Sequence, residues 1–506
     1  MLRHKILRDT LFLNVSNILA QLLLMVQAFL VLRFLEPEQY GRWLQLSILL
    51  AYSPFLSLGI ELAMAVRIPY LYGQGQLAQI RRVQDTVYSA WTAVTLIASA
   101  AVIAYGLAAS RALDWQHSWT IFVVAPLLFF EQQAQFFTRW QIAEQRDFRL
   151  FSKLTILRSV VGFAVIVPLT RWLHLAGFLT GTLFISGSYA WLWRQASGYR
   201  YAWQFSRATL GDLVRLGWPL LIIVTSGSLI ETLDRMVVLV LLGTTSLGYY
   251  GVTSLGSNAF YRLLAQAGSA MSPHMAETLG RAGDSATSLE RYLVKPTLLF
   301  ATAAACGLGA LMLTLPAVIM RFLPKYVPGL GAFYLFVPGL YFLAIIIGAN
   351  NVLNVILMQR RRQHVVVAIQ AAAMAGEIGI AVALIRVNMG ISGAAFASTA
   401  AYVIYGMLIL VWAAHFVLGD RRAVVGFLVQ SLAPLAYVTL AGLTAFAVGN
   451  WLTGANSLAS SALALSAFSI LLLPLVIWLD HVVDLKTELG PFARRVWLSA
   501  RGRLAT

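Results

Sequence analysis

Apolar stretches recur almost without pause from Leu11 to Leu479, interrupted by short segments rich in Arg, Gly and Pro. A hydrocarbon layer about 30 Å thick needs roughly 20 apolar residues per helical crossing. Fourteen stretches of that order can be delimited, at 11–32, 43–65, 87–109, 119–139, 154–172, 175–193, 216–241, 248–273, 296–320, 331–357, 365–385, 391–416, 424–449 and 458–479. Each is continuous rather than alternating in polarity, so the pattern predicts helices and not the strands of a barrel. The expected fold is all-α and membrane-integral, with spans occupying nearly the whole chain.

Charge sets the orientation. With a cytoplasmic N-terminus, most of the 37 Lys and Arg fall on the inner side, in the Arg81-Arg82 pair, the runs 139–153 and 194–215, the Arg360-Arg361-Arg362 triplet and the tail 486–503. Basic residues are retained on the cytoplasmic side of membranes, so both termini are expected inside. The outward loops are short, as in 33–42, 243–247 and 386–390, and leave no room for an outer domain. Trp43, Trp115, Trp119, Trp172, Trp451 and Trp478 stand near predicted span ends, where interfacial aromatics belong.

Composition narrows the class further. The chain of 506 residues is 59% hydrophobic and 11% charged, against about a quarter charged in soluble domains. The net charge of +17 raises nucleic acid as a partner, but its distribution over inner loops assigns it to solvated loops facing lipid headgroups, and no nucleic-acid partner is expected. Arg3, Lys5 and Arg8 precede an apolar run too long for a signal peptide, which reads as an uncleaved first span in a bacterial inner (cytoplasmic) membrane. The single Cys306 allows no internal disulfide, and the histidines do not cluster at ligand or triad spacing. No metal or cofactor is expected, and no glycine-rich phosphate loop joins a strand to a helix.

An internal repeat is present. Leu35-Glu36-Pro37-Glu38-Gln39-Tyr40-Gly41-Arg42-Trp43 aligns with Leu242-Gly243-Thr244-Thr245-Ser246-Leu247-Gly248-Tyr249-Tyr250 at an offset of 207. Gln145-Arg146 matches Gln359-Arg360, Gly162 matches Gly376, and Leu175-Ala176-Gly177 matches Ile391-Ser392-Gly393 at offsets of 214 to 216. Spans 1 to 6 thus correspond to spans 7 to 12 as a parallel repeat. The expected organisation is a six-helix lobe over 1–200, a second over 201–423, two additional helices over 424–479 and a basic tail over 480–506.

At this point the sequence resembles the Wzx-type polysaccharide transporters, lipid-linked oligosaccharide flippases of the multidrug/oligosaccharidyl-lipid/polysaccharide exporter superfamily. The resemblance rests on Arg33-Phe34-Leu35-Glu36-Pro37-Glu38-Gln39-Tyr40-Gly41, on Thr232-Leu233-Asp234-Arg235-Met236 leading to Leu242-Gly243 and Gly248-Tyr249-Tyr250, and on Lys325-Tyr326-Val327-Pro328. It implies two six-helix lobes around a central cavity, and alternating access that carries an undecaprenyl-diphosphate-linked glycan from the inner to the outer leaflet. Membrane lipids, a polysaccharide polymerase and export machinery are then the expected partners. No short catalytic motif transfers with it.

Ionisable groups at bilayer depth cost at least about 2.5–3.5 kcal/mol and so tend to face a bundle interior or aqueous cavity. Asn258, Arg262 and Gln266 share one face of span 8 at i, i+4 and i+8. An arginine there can hold a phosphate bidentately, or pair structurally with a carboxylate. In span 7, Glu231 and Arg235 are placed to neutralise each other, leaving Asp234 as the spare charge for a coupling proton or sodium ion, or for an ion cluster. Glu131 shares a face of span 4 with Gln135 and Arg139, beside Gln132 and Gln133, and is a second coupling candidate, whereas Arg139 can snorkel. Asn14, Asn17 and Gln21 in span 1, and Asn350 and Asn354 in span 10, offer hydrogen bonds to neighbouring helices or to sugar hydroxyls. Glu61 and Arg158 read as interface residues near the inner ends of their spans, and Glu377 as a partner across helices.

The leading expectation is a non-enzymatic flippase for an O-antigen, capsule or exopolysaccharide repeat unit. A peptidoglycan-precursor flippase makes the same demands on a basic cavity. A cation-coupled multidrug exporter is disfavoured by the span arginines and the two extra spans. A membrane-embedded polymerase or ligase is disfavoured by the short outward loops, which lack room for a catalytic constellation.

Overall fold

A computed structural model describes residues 2–109, 115–144, 148–198, 202–282, 286–360, 364–453 and 458–483. The central residues of several basic loops and most of the basic tail lie outside that set, as do the side chains of Asn14 and Asn354. Regular structure among the described residues is helical throughout, with no strand. In lipid this is the economical solution, because a helix satisfies each backbone N–H and C=O within its own segment. The α-helices are α1 (Leu2–Phe34), α2 (Pro37–Tyr52), α3 (Ile60–Gly73), α4 (Leu77–Ala109), α5 (Trp115–Glu144), α6 (Phe148–Ser197), α7 (Arg207–Ala282), α8 (Ala286–Phe322), α9 (Leu330–Arg360), α10 (His364–Arg386), α11 (Gly390–Leu418), α12 (Arg421–Thr453), α13 (Leu458–Leu471) and α14 (Leu473–Val483).

Among the described residues, eleven helices are long and apolar enough to cross a membrane, or twelve when α2 and α3, bent by 49°, count as one span. Two helices, α6 and α7, are long enough for two crossings. The 50 residues of α6 would extend roughly 75 Å at 1.5 Å per residue, and the path breaks at His174, whose φ of 49° and ψ of −127° are non-helical. A Cβ at Gly177 would lie 1.9 Å from the Leu169 carbonyl oxygen and one at Gly181 3.2 Å from Ile166, while one at Gly162 would lie 4.0 Å from Ile185. These pairs are symmetric about residues 173 and 174, so the two arms of α6 run antiparallel as a hairpin. His174 Nδ1, 3.0 Å from the Phe34 carbonyl oxygen, ties this turn to the end of α1. The 76-residue α7 breaks in the same way at Gly243, with φ 82° and ψ −179°. The sequence separates spans 5 and 6, and 7 and 8, at these same places.

The chain divides into two compact units, Met1–Gly251 and Val252–Thr506. In the first, α1 packs along α6, and α5 packs against α3, α4 and α6. Its core is aromatic: Tyr88, Trp91, Phe136, Phe137, Trp140 and Trp193 are all buried together. Edge-to-face contacts such as Tyr88 on Phe136, with centroids 5.1 Å apart, hold it. Since lipid tails are as apolar as the side chains, close packing rather than water exclusion drives this association.

Residues of the first repeat motif form a helix start. Leu35 is fully buried, Glu36 is extended, and Pro37 occupies the first turn, where its missing N–H costs nothing. The Glu36 N–H donates to Gln39 Oε1 at 3.2 Å, and Arg42 pairs with Glu38 at 2.7 Å. Gly41 and Gly248, equivalent in the repeat, make equivalent contacts. A Cβ at Gly41 would lie 1.8 Å from the Thr244 carbonyl oxygen, and one at Gly248 1.8 Å from that of Pro37. Thr244 is itself the repeat equivalent of Pro37, so the two copies of the motif cross each other reciprocally.

In the second unit, α9 packs between α8 and α11. Small residues allow close approach: a Cβ at Gly339 would lie 2.7 Å from Thr399 Oγ1, and one at Gly406 2.9 Å from the Phe342 carbonyl oxygen. Thr399 donates to the Leu335 carbonyl at 2.6 Å. Helices α12, α13 and α14 all pack against α8, and Tyr341 donates to the Ser431 carbonyl, joining α9 to α12.

Candidate functional site

The polar side chains of the first unit are organised around α5. Arg158 of α6 donates to Glu131 at 2.5 Å, Ser186 donates to the same oxygen, and the Arg158 guanidinium lies 4.6 Å from the centre of the Tyr189 ring. The next two residues of α5 are engaged as well: Gln132 donates through Nε2 to Ser53, and Gln133 donates to Thr92 at 3.1 Å. The Trp91 indole donates to the Gln132 carbonyl at 3.1 Å. Arg139 stands 3.9 Å from Glu61. The sequence reading of Glu61 and Arg158 as interface residues did not foresee these partners. Glu61 is 1% exposed, and Arg158 is the counter-charge of Glu131, reached from a different helix.

Asp234 in α7 is buried but does not stand as a spare charge. It accepts the Tyr250 hydroxyl at 2.7 Å and the Arg235 backbone N–H at 2.7 Å. Tyr250 lies beyond the Gly243 break, so this bond staples the two arms of the α7 hairpin. Glu231 and Arg235 are half-buried on the same helix, and the Arg235 charge acts on both Asp234 and Tyr40.

In the second unit, Arg262 is exposed, while Asn258 and Gln266, on its helix face, are half-buried. Asn350 and Gln370 both bond the Tyr405 hydroxyl, the latter at 3.0 Å, so α9, α10 and α11 are laced together by one phenol. Glu377 is buried in α10. Asn17 and Gln21 are half-buried on α1, whereas Asn14 and Asn354 lie outside the described side chains. Among the described residues, no group of three His, Cys, Asp or Glu side chains is placed to hold a metal ion.

Sequence reasoning passed over the break between α2 and α3. Ser53–Ser57 forms a 3-10 turn, and Leu58 and Gly59 then take positive φ of 50° and 79°. A backbone break at bilayer depth is tolerated only inside protein or beside a cavity, and here it borders a chamber of about 70 Å³ in which Ser57, Trp91, Thr95 and Gln132 take part. The available signal was the Ser-Pro-Phe-Leu-Ser-Leu-Gly stretch in the middle of span 2. Gly59 also touches the first arm of α7, where a Cβ on either Gly59 or Gly217 would lie 2.1 Å from the other's carbonyl oxygen.

Known proteins place this architecture. The chain is similar in structure to one described as the lipid II flippase MurJ in an inward closed conformation, with a TM-score of 0.70 at 13% identity over 93% of this chain and 100% of that one. An inward-facing multidrug resistance MATE family transporter of the MOP superfamily gives a TM-score of 0.61 at 14% identity, over 79% of this chain and 95% of that one. A MOP superfamily transporter from Pyrococcus furiosus gives 0.56 at 11%, over 81% and 96%. At such identities the likeness establishes the fold, which is that of MurJ and MATE transporters. No curated protein matches the sequence. Residues 30–306, more than half of the chain, match the model of a family described as polysaccharide biosynthesis protein, and this multi-pass membrane protein belongs to that family.

Proposed function

We propose that the protein is a flippase that moves an undecaprenyl-diphosphate-linked oligosaccharide from the inner to the outer leaflet of a bacterial cytoplasmic membrane by alternating access. One combination carries this reading: a polysaccharide-biosynthesis family assignment on a fold shared, end to end, with a lipid II flippase. The fold and family are those of transporters, so an enzymatic role has no positive support. In this reading, fourteen spans with both termini inside form lobes over 1–200 and 201–423, and the helices of 424–479 are an addition. The glycan and its diphosphate occupy a central cavity while the polyprenyl tail stays in lipid.

Arg262 is the residue assigned to the diphosphate, flanked on its face by Asn258 and Gln266 for sugar hydroxyls. Its exposure leaves its five donors open to a ligand, and guanidinium geometry matches phosphate oxygens. A polysaccharide polymerase and export machinery on the outer side are the natural partners. The test is gene deletion in the native host, followed by leaflet-resolved detection of lipid-linked glycans with a membrane-impermeant probe. Accumulation of one complete repeat unit on the cytoplasmic face, reversed by the intact gene, is the expected result. Accumulation of peptidoglycan precursor would reassign the cargo, accumulation on the outer face would indicate polymerisation or ligation, and no accumulation would favour drug or solute export.

A further inference from the structure

The bent span of α2 and α3 ends at Tyr72 and the span in α4 begins at Leu77, so the chain turns over residues 73–76. Gly75 takes a positive φ of 70°. The Gln76 N–H donates to the Leu71 carbonyl at 3.1 Å, and the Gly75 N–H to that of Tyr72 at 3.1 Å, the pair of bonds that closes a helix around a left-handed residue. The turn is thus fixed by its own backbone. Beside it lies a groove of about 330 Å³ lined by Tyr72, Leu77, Ala78, Ile80, Arg81 and Gln84.

The groove has buried lining residues and a rim that is both charged and apolar. Ile80 and Gln84 are buried, whereas Arg81 and its neighbour Arg82 are exposed. Among the described residues, ion pairs engage Arg42, Arg139 and Arg158, and none engages Arg81. Asp85, one turn further along α4, is buried and accepts the Ala202 N–H at 3.1 Å. No acidic residue occupies the first turn of α4. The positive charge in the groove is therefore not neutralised by the protein. Apolar surface stands beside it. Leu77 is 65% exposed, Tyr70 and Tyr72 are exposed at the end of α3, and the segment that Asp85 holds through Ala202 carries the exposed Trp203 and Phe205. Aromatic side chains at span ends mark headgroup depth. A soluble anion gains nothing from this apolar rim, but a phosphate ester carrying acyl chains matches both parts of the groove.

We propose that this groove binds an anionic glycerophospholipid of the leaflet at which the two spans end, with the lipid phosphate on Arg81 and an acyl chain over Leu77 and Tyr72. A guanidinium presents planar donors matched to phosphate oxygens, and Arg82 adds a second positive charge at the membrane surface. The distribution of basic residues makes that leaflet the cytoplasmic one. The site uses none of the residues assigned to the transported diphosphate and lies wholly within the first unit, so it does not depend on which cargo the protein carries.

The experiment is photolabelling of the full-length protein in phosphatidylcholine nanodiscs with a trace of phosphatidylglycerol that carries a diazirine on one acyl chain, followed by mass-spectrometric mapping of the labelled peptides. Label should concentrate on residues 70–84 and decline when unlabelled phosphatidylglycerol replaces part of the phosphatidylcholine. Inorganic phosphate in the buffer should not displace it, and undecaprenyl diphosphate should compete no better than phosphatidylglycerol. Arg81→Gln should lower the labelling about fivefold, the worth of one basic residue at an anionic membrane surface. Ala78→Trp fills the groove without a change of charge and should lower it as well, which keeps the test if Arg81→Gln does not fold. Arg171→Gln, an exposed arginine that does not line the groove, should leave the labelling unchanged. Four results would overturn the proposal: labelling indifferent to Arg81→Gln or to Ala78→Trp, equal labelling by a photoactivatable phosphatidylcholine, displacement by inorganic phosphate, and stronger displacement by undecaprenyl diphosphate. The second would mean annular lipid only, the third a site for free phosphate, and the fourth a contact of the transported lipid.

Discussion

Asp234 and Glu131 in the first unit are each held by a partner on another helix segment, and both pairs lend themselves to measurement. Tyr250 is fully buried and supplies a hydroxyl to Asp234. Its replacement by Phe leaves a buried carboxylate oxygen short of a donor, a loss of about 1–3 kcal/mol. Thermal melting of the detergent-solubilised Tyr250→Phe protein should show a clear drop in Tm, and an unchanged Tm would mean that the staple is not holding the α7 hairpin. The Glu131–Arg158 pair has side-chain exposures of 22% and 35%, so solvent screening reduces its worth. Arg158→Ala should cost about 1–2 kcal/mol, including the lost contact with Tyr189. Removing Glu131 as well should recover part of that cost in a double-mutant cycle, since no carboxylate is then left stranded. Simple additivity would show that the two side chains do not interact.

At the scale of helices, the close crossings depend on residues without a side chain. A Cβ at Gly41 or at Gly248 would lie 1.8 Å from a backbone oxygen, and a methyl group at either position can be accommodated only if the helices separate. Gly41→Ala and Gly248→Ala should therefore lower Tm to a similar degree. Gly379→Ala in α10, where a Cβ meets nothing within 4 Å, should be neutral or stabilising by up to about 1 kcal/mol. Equal effects at all three positions would contradict the crossing. The span pattern, the helix start at Glu36-Pro37 and the repeat of Leu35–Gly41 in Leu242–Gly248 are legible in the sequence, because each depends on local spacing or on self-similarity. Ion-pair partners such as Arg158 for Glu131 and Arg139 for Glu61 are not. A helical sequence reveals which residues share its own face at i and i+4, but not which foreign face lies opposite. The break at His174 is legible as the gap between spans 5 and 6, but its backbone is not: a histidine with φ of 49° carries none of the glycine signal that marks a turn, and tertiary contacts such as the one with Phe34 settle its conformation.

Over the whole molecule, an apolar chain with its basic residues in alternate loops folds into the architecture of MurJ and MATE transporters and belongs to a polysaccharide biosynthesis family. Transport and stability should separate under mutation. Arg262→Ala removes an exposed side chain, so it should leave Tm within about 0.5 kcal/mol equivalent of the wild type while reducing glycan export. Normal export at native expression would sink its assignment to the diphosphate. Translocation itself can be followed in a reconstituted membrane. Purified protein is placed in liposomes containing a polyprenyl-diphosphate-linked oligosaccharide, and a membrane-impermeant glycosidase is added outside. A flippase makes the inner-leaflet pool accessible, so cleavage should proceed from about half of the glycan to nearly all of it. Cleavage that halts at the outer-leaflet fraction, as in protein-free liposomes, would contradict the account.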